Sequence, residues 1–427
     1  MNIKQLLDKI SSLTKTVIFK NFSALIVLQL GNTALGLLIM PYLINILGVG
    51  NYGLYSFAFA ISMYLVILTD YGFGFTGVKL ISVNRNNKDK VSDIFHSIQI
   101  IKFFILIIVL AIYTFAILFI DILYVNKELF FLSFGILIGQ TIVPVWFFQG
   151  MERMKFITII NLIIRVIAVI LILIFVKSPE DISLAIASQA IGFSLAGILS
   201  IYVAYKKFNL SFRIPKTPEI LQMLITNRHM FFSTLSLSVY KNFNIVLLGF
   251  LSTNIEVGLY SAAEKVIKAV QSLIAPVSQA IYPNMSLKFS KLKSKEAVSK
   301  LIKLAKLYLI PLVITLILLV FSKNTVIRFL GVNNDGFSNL FFILLPVIVF
   351  GSLNYLLGIV GLVNLNKEKY FNKATIIGGT INVILCFLLS KKYGAHGSAI
   401  ALVIAEFIVF IIIINYLFKI KNGNIKA

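Results

Sequence analysis

Residues 253–272 read TNIEVGLYSAAEKVIKAVQS. The stretch is long enough to cross a membrane, yet it holds Glu264, Lys265 and Lys268. A Lys at the centre of a spanning helix costs about 2.5–3.5 kcal/mol even on the mildest scale. Such charges face a wet cavity or a partner. Tyr260, Glu264, Lys268 and Gln271 repeat at helical spacing and share one face. Glu264 precedes Lys268 by one turn, the favourable order for an ion pair. Lys265 stays outside that pair.

The same stretch has an echo half a chain earlier. Gly53-Leu54-Tyr55-Ser56 is answered by Gly258-Leu259-Tyr260-Ser261, and both open a long apolar helix. The repeat predicts two related halves. In its register, Phe59 and Ala60 occupy the places of Glu264 and Lys265. The charge is therefore specific to the second half.

Working outward, the 427 residues are 59% hydrophobic, with a mean hydropathy of +0.96. A soluble chain cannot bury that much apolar surface, so the composition indicates an integral membrane protein. Long apolar runs, rather than alternating ones, indicate an all-α protein and not a barrel. No compact cleavable signal is expected in the first residues, where the first span would serve for insertion. One cysteine, Cys386, excludes a disulfide framework, and three scattered histidines give no metal spacing. No catalytic motif, cofactor site or metal site is expected.

Hydropathy predicts twelve spans, at roughly 21–47, 51–82, 93–120, 128–150, 156–177, 182–205, 229–252, 256–284, 298–322, 336–364, 370–390 and 394–418. The net charge of +23 is distributed unequally. Loops on one side hold only Lys127, Lys177, Lys323, Arg328, Lys391 and Lys392. The spans hold Lys102, Arg165, Lys241, Lys265 and Lys268. All other lysines and arginines fall on the opposite side, with both termini. The positive-inside bias places that side in the cytoplasm and turns the basic charge away from a nucleic-acid role. The longest connection carries Pro215 and Pro218 and divides the chain. Residues 1–206 and 229–427 are then two six-helix lobes around a central cavity, joined by a cytoplasmic linker at 207–228.

Other intramembrane polar residues are candidates for that cavity. Arg165 lies well inside span 5, one turn from Asn161, and presents five fixed donors suited to a phosphate or carboxylate. Asp70 or Glu406 is the structural alternative as its partner. Lys241 sits at the centre of span 7, too deep to reach the headgroups. Glu406, near the middle of span 12, suits a proton or cation role or a salt bridge. Asp70, near the inner interface, suits a cap or charge pair. Lys102 is expected to snorkel to the headgroups, and Pro276 and Pro283 are expected to break span 8.

A two-half protein with intramembrane charge and no soluble domain reads as a secondary transporter, with its site near the midplane. The surplus of positive charge favours an anionic substrate. Three stretches carry a resemblance: 48–98, beginning GVGNYGLYSFAF; 143–166, beginning VPVWFFQGMERM; and 248–284, containing GLYSAAEK. They resemble the bacterial polysaccharide flippases, the Wzx-type O-antigen and capsule transporters. That family shares a superfamily with MATE multidrug exporters and lipid II flippases. The resemblance implies a lipid-linked oligosaccharide on undecaprenyl diphosphate as cargo, moved from the cytoplasmic to the outer leaflet of the bacterial inner membrane. It also implies alternating access, a coupling ion (H+ or Na+), and association with other polysaccharide-assembly membrane proteins. Arg165, Lys241, Lys265, Lys268, Tyr260 and Gln271 are then the substrate-binding candidates. Glu264, Glu406 and Asp70 are the coupling or charge-pair candidates. A multidrug exporter of the same fold and a membrane glycan polymerase are the competing readings. The first predicts an acid-rich cavity and the second a large outer loop, and the sequence has neither.

Overall fold

The computed structural model describes residues 17–213, 215, 217–289, 292, 294–332 and 335–423. Among them the protein is all helix, with no strand. In chain order the helices are α1 (Val17–Asp70), α2 (Phe73–Asn84), α3 (Lys88–Phe119), α4 (Asp121–Tyr124), α5 (Lys127–Leu132), α6 (Phe134–Ile142), α7 (Val145–Gly150), α8 (Met154–Phe175) and α9 (Ile182–Phe208). There follow α10 (Thr217–Leu251), α11 (Asn254–Phe289), α12 (Ser294–Phe321), α13 (Lys323–Leu330), α14 (Asp335–Tyr355) and α15 (Glu368–Lys421). A π-helical stretch, Leu356–Val363, continues α14.

Eight helical stretches among the described residues are long and apolar enough to cross a membrane. Two of them are bent pairs. Gly48 (φ 77°) divides α1, and Gly394 (φ 54°) divides α15. Both angles lie in the left-handed region, where a side chain is strained and glycine is not. Membrane faces are visible directly. On α3, Phe104, Ile108, Ile112, Phe115 and Phe119 are exposed, while Ile98, Ile101, Val109, Tyr113 and Ile117 are buried on the other side. Exposed apolar stripes of this length need hydrocarbon around them. The protein is a multi-pass membrane protein.

By packing, the chain divides into two compact units. The first comprises residues 1–35 and 61–235, and the second 36–60 and 236–427. In the first, α9 packs on α6 and α8, and α2 packs on α7. Phe95, Trp146, Phe147 and Phe148 form its aromatic centre. Between α6 and α7 Pro144 is non-helical and Val143 is extended, the conformation that a proline favours in the residue before it. In the second unit, α11 and α15 pack on α14.

One expectation about α11 is corrected. The helix runs on through Pro276 and Pro283 to Phe289. A missing backbone bond does not end a helix whose other groups are satisfied within the bundle.

Candidate functional site

The two copies of the Gly-Leu-Tyr-Ser stretch both belong to the second unit and touch each other. A Cβ on Gly53 would collide with Asn254 O and come within 2.7 Å of Gly258 N. A Cβ on Gly258 would collide with Val49 O. Small residues let helices approach backbone to backbone. This contact seats the start of α11 and so aims its charged face.

That face carries a connected polar chain. Lys268 Nζ lies 3.1 Å from Glu264 Oε1. Tyr260 OH donates to Glu264 Oε1 at 3.4 Å. Asn244 Nδ2, from α10, donates to Tyr260 OH at 3.2 Å and to Ser398 O at 3.2 Å. Asn382 Nδ2, from α15, donates to Asn244 Oδ1 at 2.7 Å. Beyond it, Ser390 and Ser398 hydroxyls lie 2.8 Å apart, and Cys386 Sγ lies 3.2 Å from Ser398 Oγ. Glu264 is 3% exposed, whereas the Lys268 side chain is 39% exposed. A buried carboxylate thus has one accessible cation at its mouth and neutral donors behind it. The arrangement can hold an anionic group on the lysine and exchange a proton or cation at the carboxylate.

Lys265, outside the ion pair, takes an aromatic partner. Its Nζ donates to Tyr52 OH at 2.9 Å and sits 5.0 Å from that ring's centroid. Gln271 Nε2 donates to Val347 O at 2.8 Å, tying α11 to α14. Glu406 Oε2 accepts from Asn354 Nδ2 at 2.7 Å, beside the π-helical stretch. The side chain of Lys241 lies outside the described residues.

In the first unit, Asp70 Oδ1 pairs with Lys102 Nζ at 3.3 Å, and Asp70 Oδ2 accepts from Gly74 N at 3.0 Å. Lys102 is 3% exposed, so it does not snorkel. A carboxylate within reach outcompetes the distant headgroups. Arg165 lines a separate cavity of about 40 Å³ with Gln140, Asn161 and Gln189. A wider cleft of about 700 Å³ lies among α2, the start of α3 and the start of α10, with Lys79, Lys90, Asp93 and Glu219 on its walls.

The sequence reading passes over Asn382, Ser390 and Ser398 as site residues. An uncompensated amide or hydroxyl in an apolar run was the available signal.

Comparison with known proteins places the chain. Residues 18–289 match the family described as polysaccharide biosynthesis protein. The chain belongs to that family. It is 30% identical over 392 residues to a protein of Escherichia coli (strain K12) provisionally named an O-antigen transporter, covering 91% of this chain and 94% of that one. A Shigella dysenteriae protein with the same provisional name is 28% identical over 405 residues, covering 93% and 99%. The fold is shared with the lipid II flippase MurJ in an inward closed conformation, with TM-score 0.70, 17% identity and coverage of 95% and 90%. It is also shared with an inward-facing MATE multidrug transporter, with TM-score 0.64, 15% identity and coverage of 94% and 96%. These relatives and neighbours are transporters and flippases rather than enzymes.

Proposed function

We propose that this protein is a flippase. It moves oligosaccharide repeat units on undecaprenyl diphosphate from the cytoplasmic to the outer leaflet, for O-antigen or another surface polysaccharide. The proposal includes twelve crossings, two lobes around a cavity, both termini in the cytoplasm and residence in the bacterial inner membrane. The observation that carries it is the Lys268–Glu264 pair, half open and half buried, in a chain of the O-antigen transporter family. A diphosphate loses hydration on leaving water, and cations with N–H donors offset that loss. Lys268, Lys241 and Lys265 supply such groups, with Arg165 as a further candidate. Glu264, backed by Tyr260 and Asn244, is the coupling carboxylate for H+ or Na+, and Glu406 on Asn354 is the second candidate.

The test is a deletion strain assayed for lipid-linked repeat units by amount and leaflet, together with surface glycan. Complete units held on the cytoplasmic leaflet beneath a bare surface are the expected result. Complementation by Lys268→Ala or Lys241→Ala at equal abundance should restore little glycan. Normal surface glycan in the deletion strain with new drug sensitivity would replace this reading with a MATE-type exporter. Single unpolymerised units at the surface would indicate a polymerase.

A further inference from the structure

The cleft of about 700 Å³ in the first unit lies within the usual range of small-molecule sites, roughly 300–1,000 Å³. Three helices wall it: α2 with Lys79 and Leu80, α3 with Asp93 and Ile94, and α10 with Glu219 and Asn227. Glu219, Gln222, Thr226 and Asn227 recur at helical spacing, so α10 gives the cleft one continuous face. Along that face Glu219 and Asn227 stand about 12 Å apart. Glu219 is exposed, whereas Asn227 is 3% exposed. The cleft therefore runs from a charged rim to a closed amide end.

Its two ends differ in what they can bind. Two lysines, Lys79 and Lys90, share the walls with two carboxylates, Asp93 and Glu219, so the lining has no surplus charge for a phosphate. At the closed end, Asn227 Nδ2 donates to Tyr71 O, a carbonyl that can only accept. That bond fixes the orientation of the amide. The atom left over is Oδ1, which is buried and has no hydrogen-bond partner among the described residues. Beside it, the Thr76 and Thr226 hydroxyls donate to Gly72 O and Gln222 O, which leaves their lone pairs as acceptors. A buried acceptor without a donor is costly, and acceptors repel an anion. The closed end thus calls for hydroxyl donors. Leu80, Ile94 and Met223 supply apolar wall for the C–H faces of a sugar ring.

We propose that this cleft takes the glycan headgroup of the cargo, with sugar hydroxyls donating to Asn227 Oδ1 and Glu219 and accepting from Gln222. Its neutral lining leaves the diphosphate to be bound elsewhere. The identity of the cargo rests on the flippase reading above, and the orientation proposed there puts the charged rim in the cytoplasm. A site with an unpaired buried acceptor rejects a ligand that lacks the matching hydroxyl, so the cleft would select among sugars.

The test uses the full-length protein in nanodiscs. The probe is the repeat-unit oligosaccharide released by mild acid from the surface polysaccharide of the strain that encodes the protein, free of lipid and phosphate. Saturation-transfer NMR follows its binding. The unsubstituted protein should bind it saturably. Asn227→Leu is the direct variant, but it also loses the bond to Tyr71. Gln222→Ala combined with Glu219→Gln alters only exposed side chains, should keep the thermal midpoint, and should raise the half-saturating concentration about tenfold. Lys268→Ala should leave binding of this probe unchanged. Absence of binding to the unsubstituted protein would overturn the proposal. So would unchanged binding in the Gln222→Ala, Glu219→Gln variant, or loss of binding in Lys268→Ala alone. None of these results touches the flippase reading, which the lipid-linked units of the deletion strain decide separately.

Discussion

The two Gly-Leu-Tyr-Ser copies are alike in backbone and unlike in chemistry. Gly53 and Gly258 make reciprocal close approaches, and both following serines, Ser56 and Ser261, are buried without a hydrogen-bond partner among the described residues. One turn after each tyrosine the copies diverge. Tyr55 stacks on Phe59 with ring centroids 6.3 Å apart. Tyr260 instead donates to Glu264. The same i,i+4 slot serves packing in the first copy and charge in the second. The two copies thus share a helix contact while differing in the chemistry one turn beyond it.

The largest expected effect tests the shared part. Gly53→Leu and Gly258→Leu should each remove folded protein from the membrane, because backbones rather than flexible side chains must separate, at a cost above about 3 kcal/mol. Abundance and size-exclusion profile in detergent would show it. A large effect at one glycine only would break the reciprocity.

The divergent slot comes next. Glu264→Leu should lower stability by roughly 2–3 kcal/mol, since it strips Tyr260 and Lys268 of a charged partner. Phe59→Leu should cost only about 0.5–1.5 kcal/mol, the worth of a ring contact. Thermal unfolding of both variants gives the ratio, and equal losses would contradict the division of roles. Asn382→Leu should follow, at about 1–3 kcal/mol, by leaving Asn244 Oδ1 without its donor. An unchanged midpoint in Asn382→Leu would show that this hydrogen bond contributes nothing.

The smallest effect sharpens the reading of Lys265. Tyr52→Phe should cost about 1 kcal/mol by removing the hydroxyl while keeping the ring. Tyr52→Leu should add about 0.5–2 kcal/mol by removing the cation–π contact as well. Identical midpoints for the two variants would show that the ring contributes nothing.

Much of the site's one-dimensional order was legible beforehand. Helical spacing put Tyr260, Glu264, Lys268 and Gln271 on one face, and the i,i+4 rule paired Glu264 with Lys268. Those are local relations, set by 3.6 residues per turn. Partners from elsewhere were not legible. Lys265 meets Tyr52 across 213 positions, Asn382 meets Asn244 across 138, and Lys102 meets Asp70 rather than the headgroups.

By itself the sequence determined the solvent: a chain so apolar, with its charge sorted by loop, belongs in a bilayer, because transfer energies add along the chain whatever its packing. It also determined the helices and the repeat. Only the tertiary structure decided that the repeat's copies pack on each other, that Gln271 ties α11 to α14, and that Arg165 shares its space with two glutamines. Those outcomes depend on which helix faces meet, and apolar faces meeting in hydrocarbon leave little trace in composition. Close packing and the need to satisfy each buried polar group select the partners.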